Sequence, residues 1–249
     1  MTPRVVFADA DLVVVDKPAG IPSVPARTPL DPPAVAERLL AEFGPLEAVH
    51  RLDRDTSGLL MLARTRAARA ALGRSFESGD VVKRYLAVVV GRPPEDRGEL
   101  HLPLAADPQR PPRQRIDLLL GKRAATRWEF VTATPDDADL LSLVALTPLT
   151  GRSHQIRVHL AWLGCPIVGD RLYGGTAWPK AGAGEPAMLA LHAVALEVSH
   201  PRTAERLAFT APPPHRPPWD RFAPAITTAL AAWPSRSPSA SSGRTSPDP

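Results

Sequence analysis

With 249 residues, 44% of them hydrophobic and only 5% aromatic, the chain can bury one sizeable core, or two subdomains around a shared cleft, built mainly on Val, Leu and Ala. Its formal charge is +4, and its 30 basic residues include just four lysines (Lys17, Lys83, Lys122, Lys180), so the basic surface is arginine, whose planar fork pairs with phosphate and stacks on bases. A single cysteine, Cys165, excludes an intramolecular disulfide and a cysteine-based zinc site. The acidic segment Met1 to Gly20 is not expected to act as a signal peptide, and no apolar run approaches the roughly 20 residues of a membrane span.

In chain order, Val5 to Ala8 and Leu12 to Asp16 predict two short strands joined by an aspartate-rich turn. Lys17-Pro18-Ala19-Gly20 breaks the pattern, and Ile21 to Pro33 is a proline-punctuated loop. A helix is predicted from Ala34 to Phe43, stopped by Gly44-Pro45. A loop from Glu47 to Ser57 leads into an apolar strand, Leu59 to Ala63. Thr65 to Ser78 predicts a second helix, with Ala68, Leu72 and Phe76 on one face. Arg84 to Gly91 is a strand rich in β-branched residues.

The stretch from Arg92 to Gly121 is basic and proline-interrupted, and predicts an arm or long loop over a substrate. Ala125 to Val131 and Leu140 to Leu146 alternate like neighbouring strands. A third helix is predicted over Ser153 to Leu163, with Ser153 as its cap and Arg152 at its mouth. Ala187 to Val198 predicts a further strand. From Pro234 the Ser/Pro-rich chain has almost nothing to bury and is expected to be disordered.

Charge is unevenly spread. Between Pro108 and Arg127 stand six basic residues, including Arg110, Arg113 and Arg115, against Asp117 alone. Arg64, Arg66, Arg69, Arg74, Lys83 and Arg84 form a second basic cluster against Glu77 and Asp80. Either is compatible with a solvated helix face. Together, flanking one candidate site, they favour a polyanionic partner.

That site is announced by His50-Arg51-Leu52-Asp53-Arg54-Asp55-Thr56-Ser57-Gly58-Leu59-Leu60. Aspartate before Thr-Ser-Gly is by itself compatible with a turn or a helix cap. A carboxylate beside guanidinium groups stays ionised, which suits a nucleophile better than a general acid. Arg51 and Arg54 are open to a structural or a phosphate-facing reading. A second motif is Lys83-Arg84-Tyr85-Leu86-Ala87-Val88. A third runs Gly151-Arg152-Ser153-His154-Gln155-Ile156-Arg157-Val158-His159, continuing into Gly164-Cys165-Pro166-Ile167-Val168-Gly169-Asp170-Arg171-Leu172-Tyr173-Gly174. His154 and His159, at i and i+5 with no Glu between, do not share a helix face as zinc ligands would, and are taken as structural.

In these three motifs, in this order from about Arg4 to Pro214, the chain resembles the RluA family of RNA pseudouridine synthases. Gly20-Ile21-Pro22-Ser23-Val24-Pro25-Ala26-Arg27 and Asp107-Pro108-Gln109-Arg110-Pro111-Pro112-Arg113-Gln114 resemble the subgroup that modifies both a 23S rRNA hairpin and the tRNA anticodon stem-loop. Ala204 departs from the pattern, standing where the turn after His200-Pro201 usually has glycine.

The resemblance implies an α+β fold: mixed, mainly antiparallel sheets with flanking helices around a central RNA-binding cleft. It implies a catalytic domain over residues 1–222, of two subdomains without an S4-like domain. A short helical segment, 223–233, and the tail, 234–249, would follow. It further implies isomerisation of a flipped uridine in a stem-loop, with no metal and no cofactor. RNA would be the partner, in the cytoplasm, for a monomer with no obligatory protein partner and no membrane. Asp53 would attack C1′ or assist a glycal intermediate, Arg152 would pair with Asp53, and Tyr85 would stack on the uracil and help remove its proton. Leu191 would close the other side of the base, and Arg51, Arg54, Arg110, Arg113 and Arg115 would contact RNA. A catalytically silent RNA-binding or ribosome-assembly factor on the same fold is the alternative. A glycoside hydrolase is disfavoured by the lack of a second equally marked carboxylate.

Overall fold

The computed structural model describes residues 2–25, 32–135, 140–174 and 188–233. Its centre is a ten-stranded mixed sheet with the order β1-β2-β4-β11-β5-β10-β9-β6, in which β12 also pairs with β11 and β3 with β4. The strands are β1 (Arg4–Ala8), β2 (Leu12–Lys17), β3 (Glu47–Ala48), β4 (Ser57–Ala63), β5 (Val82–Val90), β6 (Arg97–His101), β9 (Ala125–Ala133), β10 (Leu141–Pro148), β11 (Leu191–Ser199) and β12 (Arg206–Thr210). All pairings are antiparallel except β4 with β11, which meet in parallel through His192 opposite Ser57 and Ala193 opposite Gly58. The expected two halves are therefore arms of one sheet, joined at this short seam.

The central strands are apolar without alternation because both faces of the sheet are covered. On β2 and β4, Val13, Val15, Leu60 and Leu62 enter one core with Val35, Leu39, Trp219 and Ile226. Leu12, Val14, Leu59 and Met61 enter another with Ala68, Leu72, Leu207 and Phe209. Helix α3 (Arg66–Ser78) covers this second face, capped by the Thr65 hydroxyl and closed by Gly79 in the left-handed region.

Three predicted elements differ in the structure. The helix expected from Ala34 to Phe43 is two single turns, α1 (Val35–Arg38) and α2 (Leu40–Phe43), interrupted at Leu39. The arm expected from Arg92 to Gly121 is not a loop. It supplies edge strand β6 and a separate hairpin, β7 (Leu104–Ala106) with β8 (Gln114–Ile116). The third helix, α4 (Gln155–Trp162), starts two residues late, and Ser153 does not cap it. His154 occupies the N-cap with φ 55°, and the Gln155 side chain accepts from the Thr150 hydroxyl and the Arg152 N–H instead.

Ala204 adopts φ 59°, so the residue that departs from the family pattern bears left-handed backbone normally given to glycine. A helix, α5 (Ala223–Ala231), occupies the expected C-terminal segment. Among the described residues no helix is long and apolar enough to cross a membrane. The tail from residue 234, and the first residue of the strand expected from Ala187, lie outside the described residues.

Candidate active site

A cleft of about 1220 Å³ opens along β5, β6, β9 and β10 beside the start of β11, and Asp53, Tyr85, Leu191, His154 and Arg157 all line it. The loop that delivers Asp53 is held on both sides. Ser23 brackets Leu52, its hydroxyl donating to the Leu52 carbonyl at 2.9 Å and accepting the Leu52 N–H at 3.0 Å. On the far side the Arg54 carbonyl accepts from the Gly20 N–H at 2.8 Å and from Lys17 Nζ at 2.9 Å.

Lys17 is fully buried and also donates to the carbonyls of Pro18 and Ile21. Burial lowers its pKa to about 8, against the opposing pull of Asp55, Asp53 and Asp16. The Pro18 that breaks the strand thus folds the chain back around its own lysine.

His50 fixes the loop from behind. Its Nε2 accepts the Met61 N–H at 3.0 Å and its ring stacks on Phe76 at 4.6 Å. Burial, and secondarily Lys83, depress its pKa to about 3, so it is neutral and carries its proton on Nδ1. Gly58 closes the turn with φ 107°. A Cβ there would lie 2.3 Å from the Ala193 carbonyl oxygen, so only glycine lets β4 and β11 approach.

The arginine facing Asp53 is Arg157, not Arg152. Arg157 lies on the buried inner side of α4 and donates from Nη1 to Asp53 Oδ2 at 3.1 Å. Its Nε and Nη2 grip both oxygens of buried Asp170, each at 2.8 Å. Burial works against the guanidinium charge, yet Asp170 and then Asp53 hold its pKa above the ordinary value. Arg152 precedes the helix, is exposed, and turns its Nε to the Arg123 carbonyl at 3.0 Å. The displacement follows from the late helix start. Residue 157 falls on the helix face toward the cleft, and residue 152 stays on the rim.

Asp170 and Tyr173 were legible only as letters in the third motif, and Lys17 and Ser23 carried no chemical signal. Their roles exist through contacts distant in the chain.

Tyr85, on β5, stands opposite Ala193 of β11, and Leu191 lies two residues along β11 on the same face. They form an apolar slot beside Asp53. Burial, and the Asp53 charge after it, push the Tyr85 phenol above its ordinary pKa. The neutral hydroxyl suits stacking and donation, not service as a phenolate base.

His154 combines a structural bond with a place beside the carboxylate. Its Nε2 stands 4.0 Å from Asp53 Oδ2 and its Nδ1 2.8 Å from the Tyr173 hydroxyl. His159 fits the structural reading: it is buried and bonded to the Thr126 hydroxyl and the Leu102 carbonyl. Among the described residues, the one group of potential metal ligands is Asp9, Asp11 and His200, whose bonds to one another and to Arg202 tie two turns together away from the cleft.

The remaining arginines separate by position. Arg51 lines the cleft and is exposed, whereas Arg54 is exposed and pairs with Asp55. Arg110 pairs with Asp107 and Arg115 with Asp117, while Arg113 lies 5.2 Å from the Tyr173 ring centre. All three belong to the β7–β8 hairpin, outside the residues that line the cleft. Much of the second basic cluster is spent internally: Arg69 pairs with Glu47, Arg64 donates to the Asp9 carbonyl, and Arg84 faces Trp233.

Comparison with known proteins bears directly on this cleft. Residues 11–162 match the family model described as RNA pseudouridylate synthase. The chain is 41% identical over 207 residues to the dual-specificity RNA pseudouridine synthase RluA of Haemophilus influenzae, covering 83% of this chain and 91% of that protein. It is 40% identical over 208 residues to the Escherichia coli K12 protein of the same name, covering 84% and 92%. Among solved structures, human RNA Pseudouridylate Synthase Domain Containing 1 superposes with a TM-score of 0.73 at 28% identity, over 94% of this chain and 97% of that one.

Proposed function

The chain belongs to the RNA pseudouridylate synthase family, and from that premise we propose that Asp53 is the carboxylate through which it converts uridine in RNA to pseudouridine. The observation that carries this is the Asp53–Arg157 ion pair at the mouth of the Tyr85–Leu191 slot. In the reaction the bond from ribose C1′ to N1 of uracil breaks, the base turns, and C1′ joins C5, whose hydrogen is lost. The base never leaves, so one carboxylate serves where a hydrolase needs two. Asp53 either attacks C1′ or assists formation of a glycal, and both routes need it charged and aimed.

Arg157 supplies the aim: with its other two nitrogens fixed on Asp170, it presents one donor to Asp53 along a set direction. Tyr85 stacks on the uracil and Leu191 closes the opposite side. The uridine must be flipped from its stem-loop, at a cost of a few kcal/mol that phosphate contacts offset. For those contacts we propose Arg51 within the cleft, Arg152 and Arg54 near its rim, and Arg110, Arg113 and Arg115 on the hairpin.

The substrate we propose is a structured stem-loop, in 23S rRNA, the tRNA anticodon arm, or both. The named relatives are dual-specificity enzymes, and the Pro-Gln-Arg-Pro-Pro-Arg segment supports the same subgroup. We further propose a cytoplasmic monomer with residues 1–222 as the catalytic unit.

Tritium release from RNA labelled at C5 of uridine tests the assignment. Asp53→Asn is expected to lower release by roughly 10³-fold or more while the protein still binds RNA. Release undiminished in that variant would remove Asp53 from the chemistry. No release by the wild type from any stem-loop would leave the silent RNA-binding reading standing.

A further inference from the structure

Tyr173 holds a position that the proposed chemistry leaves unused. Its hydroxyl receives the Gln114 backbone N–H at 2.7 Å, from the β7–β8 hairpin, and lies 2.8 Å from His154 Nδ1. Two guanidinium groups, Arg113 of the hairpin and Arg157 of the ion pair, each lie 5.2 Å from its ring centre. Its backbone N–H donates to Asp170 Oδ1, the same carboxylate that grips Arg157. One side chain thus touches the hairpin, the histidine beside Asp53 and the arginine bound to Asp53.

The hydroxyl has one proton to give. Having accepted from Gln114, it can give that proton to His154 Nδ1, the hydrogen-bond acceptor beside it among the described residues. A neutral His154 then carries its own proton on Nε2, the nitrogen 4.0 Å from Asp53 Oδ2. Burial, the leading influence on His154, keeps the ring neutral. His154 also stands at φ 55°, a conformation a non-glycine residue keeps only where its surroundings fix it.

We propose that Tyr173 is a positioning residue for the isomerisation, setting the His154 ring so that an Nε2–H faces the Asp53 carboxylate. This rests on Asp53 being the reacting carboxylate. That N–H approaches Oδ2, the same oxygen that Arg157 holds, from 4.0 Å, close enough to bias the carboxylate electrostatically, and the hairpin contact anchors the tyrosine that directs it.

Two measurements test the role. The first is the nitrogen NMR signature of His154, which distinguishes the two neutral tautomers. The wild type is expected to show Nε2–H, and Tyr173→Phe a mixture. An Nδ1–H ring in the wild type, or an unchanged spectrum in Tyr173→Phe, would overturn the proposal.

The second is the single-turnover tritium-release rate at saturating stem-loop RNA. Tyr173→Phe is expected to lower this rate about tenfold with RNA Kd changed less than about twofold. The loss should vanish in a His154→Asn background, where asparagine tolerates the left-handed backbone but the ring is gone. Additive losses in the double variant, a change in Kd alone, or no change in rate would count against it. A wild type that releases no tritium from any RNA would sink the enzymatic reading, while the NMR result would still report on the tautomer.

Discussion

The loop carrying Asp53 and the β7–β8 hairpin are held in opposite ways. Residues 52–58 are gripped from four separate parts of the chain: Ser23, Lys17 with Gly20, Arg157 on α4 and the seam with β11. The hairpin is held mostly from nearby, through Asp107 and Asp117 bonding to their own turns and arginines and through backbone bonds to Lys122, with Leu104 packed on Val158 of α4 and Tyr173 as its hydrogen-bonded link to the cleft. Chemistry at C1′ tolerates little displacement of the carboxylate. A surface that meets RNA gains from local, exposed contacts that can adapt to the partner. The difference predicts that equal insults to the two regions have unequal consequences.

The largest difference should appear at Gly58. A methyl group there meets the Ala193 backbone at 2.3 to 2.8 Å, and the positive φ adds strain, so Gly58→Ala is expected to cost about 3 kcal/mol or more, read by chemical denaturation. On the hairpin, Arg115→Gln breaks a half-exposed ion pair and should cost less than about 1 kcal/mol. Equal costs would erase the distinction.

Arg157→Lys sharpens it at the level of rate. An ammonium cannot keep both Asp170 oxygens and still offer Asp53 a directed donor. Tritium release should fall about 100-fold at saturating RNA, on the order of 2.7 kcal/mol of transition-state stabilisation, with RNA affinity nearly unchanged. Arg152→Lys, on the rim, should leave that rate within about threefold. A larger loss at Arg152 would return it to the role the sequence suggested.

Acid provides a third comparison. His50 holds the loop to β4, and His192 accepts the Ser57 hydroxyl across the β4–β11 seam; burial depresses both to about 3 from an ordinary 6.5. Between these values the unfolded chain binds protons that the native chain refuses. The unfolded state is favoured progressively, and stability falls as pH drops from about 6.5 toward 3. These two histidines contribute up to about two extra protons to the slope, and His154 and His159, also lowered by burial, act in the same direction. His50→Gln should remove about one of those protons, and an unaltered slope would show that the loop is not held through a neutral His50.

How much of this was legible in the chain follows the same division. Strands β2, β4 and β5 were readable because continuous apolar runs mark a sheet covered on both faces. Asp53, Tyr85 and Leu191 were named through the resemblance of their motifs, and the register of β5 with β11 is what turns Tyr85 and Leu191 to one face. Arg157 was missed in favour of Arg152 because the choice depends on where α4 begins. That start is set by Gln155 folding back on Thr150, and not by the obvious cap, Ser153. Lys17 was invisible because its partners are three backbone carbonyls, which no side-chain motif records. The hairpin was read as a loop because prolines and charges mask strands only three residues long.

The smallest expected effect concerns how the exposed arginines meet RNA. Each phosphate neutralised by a free cation adds roughly 0.7 to 0.9 to the slope of log K against log salt. Arg110 and Arg115 are each already matched to an aspartate, so each pair arrives at the RNA close to neutral and releases little on binding. Arg152 lines the cleft, Arg123 meets it through its carbonyl and Lys122 precedes Arg123; all three are exposed, and among the described residues none of them pairs with a carboxylate. Neutralising Arg110 and Arg115 should therefore weaken binding at every salt concentration while changing the slope by less than about one. Neutralising Lys122, Arg123 and Arg152 should flatten it by about two. A slope that responds equally to both sets would mean that RNA strips the aspartates from their arginines on binding. The hairpin would then be a surface that rearranges on docking, in contrast to the fixed loop beneath it.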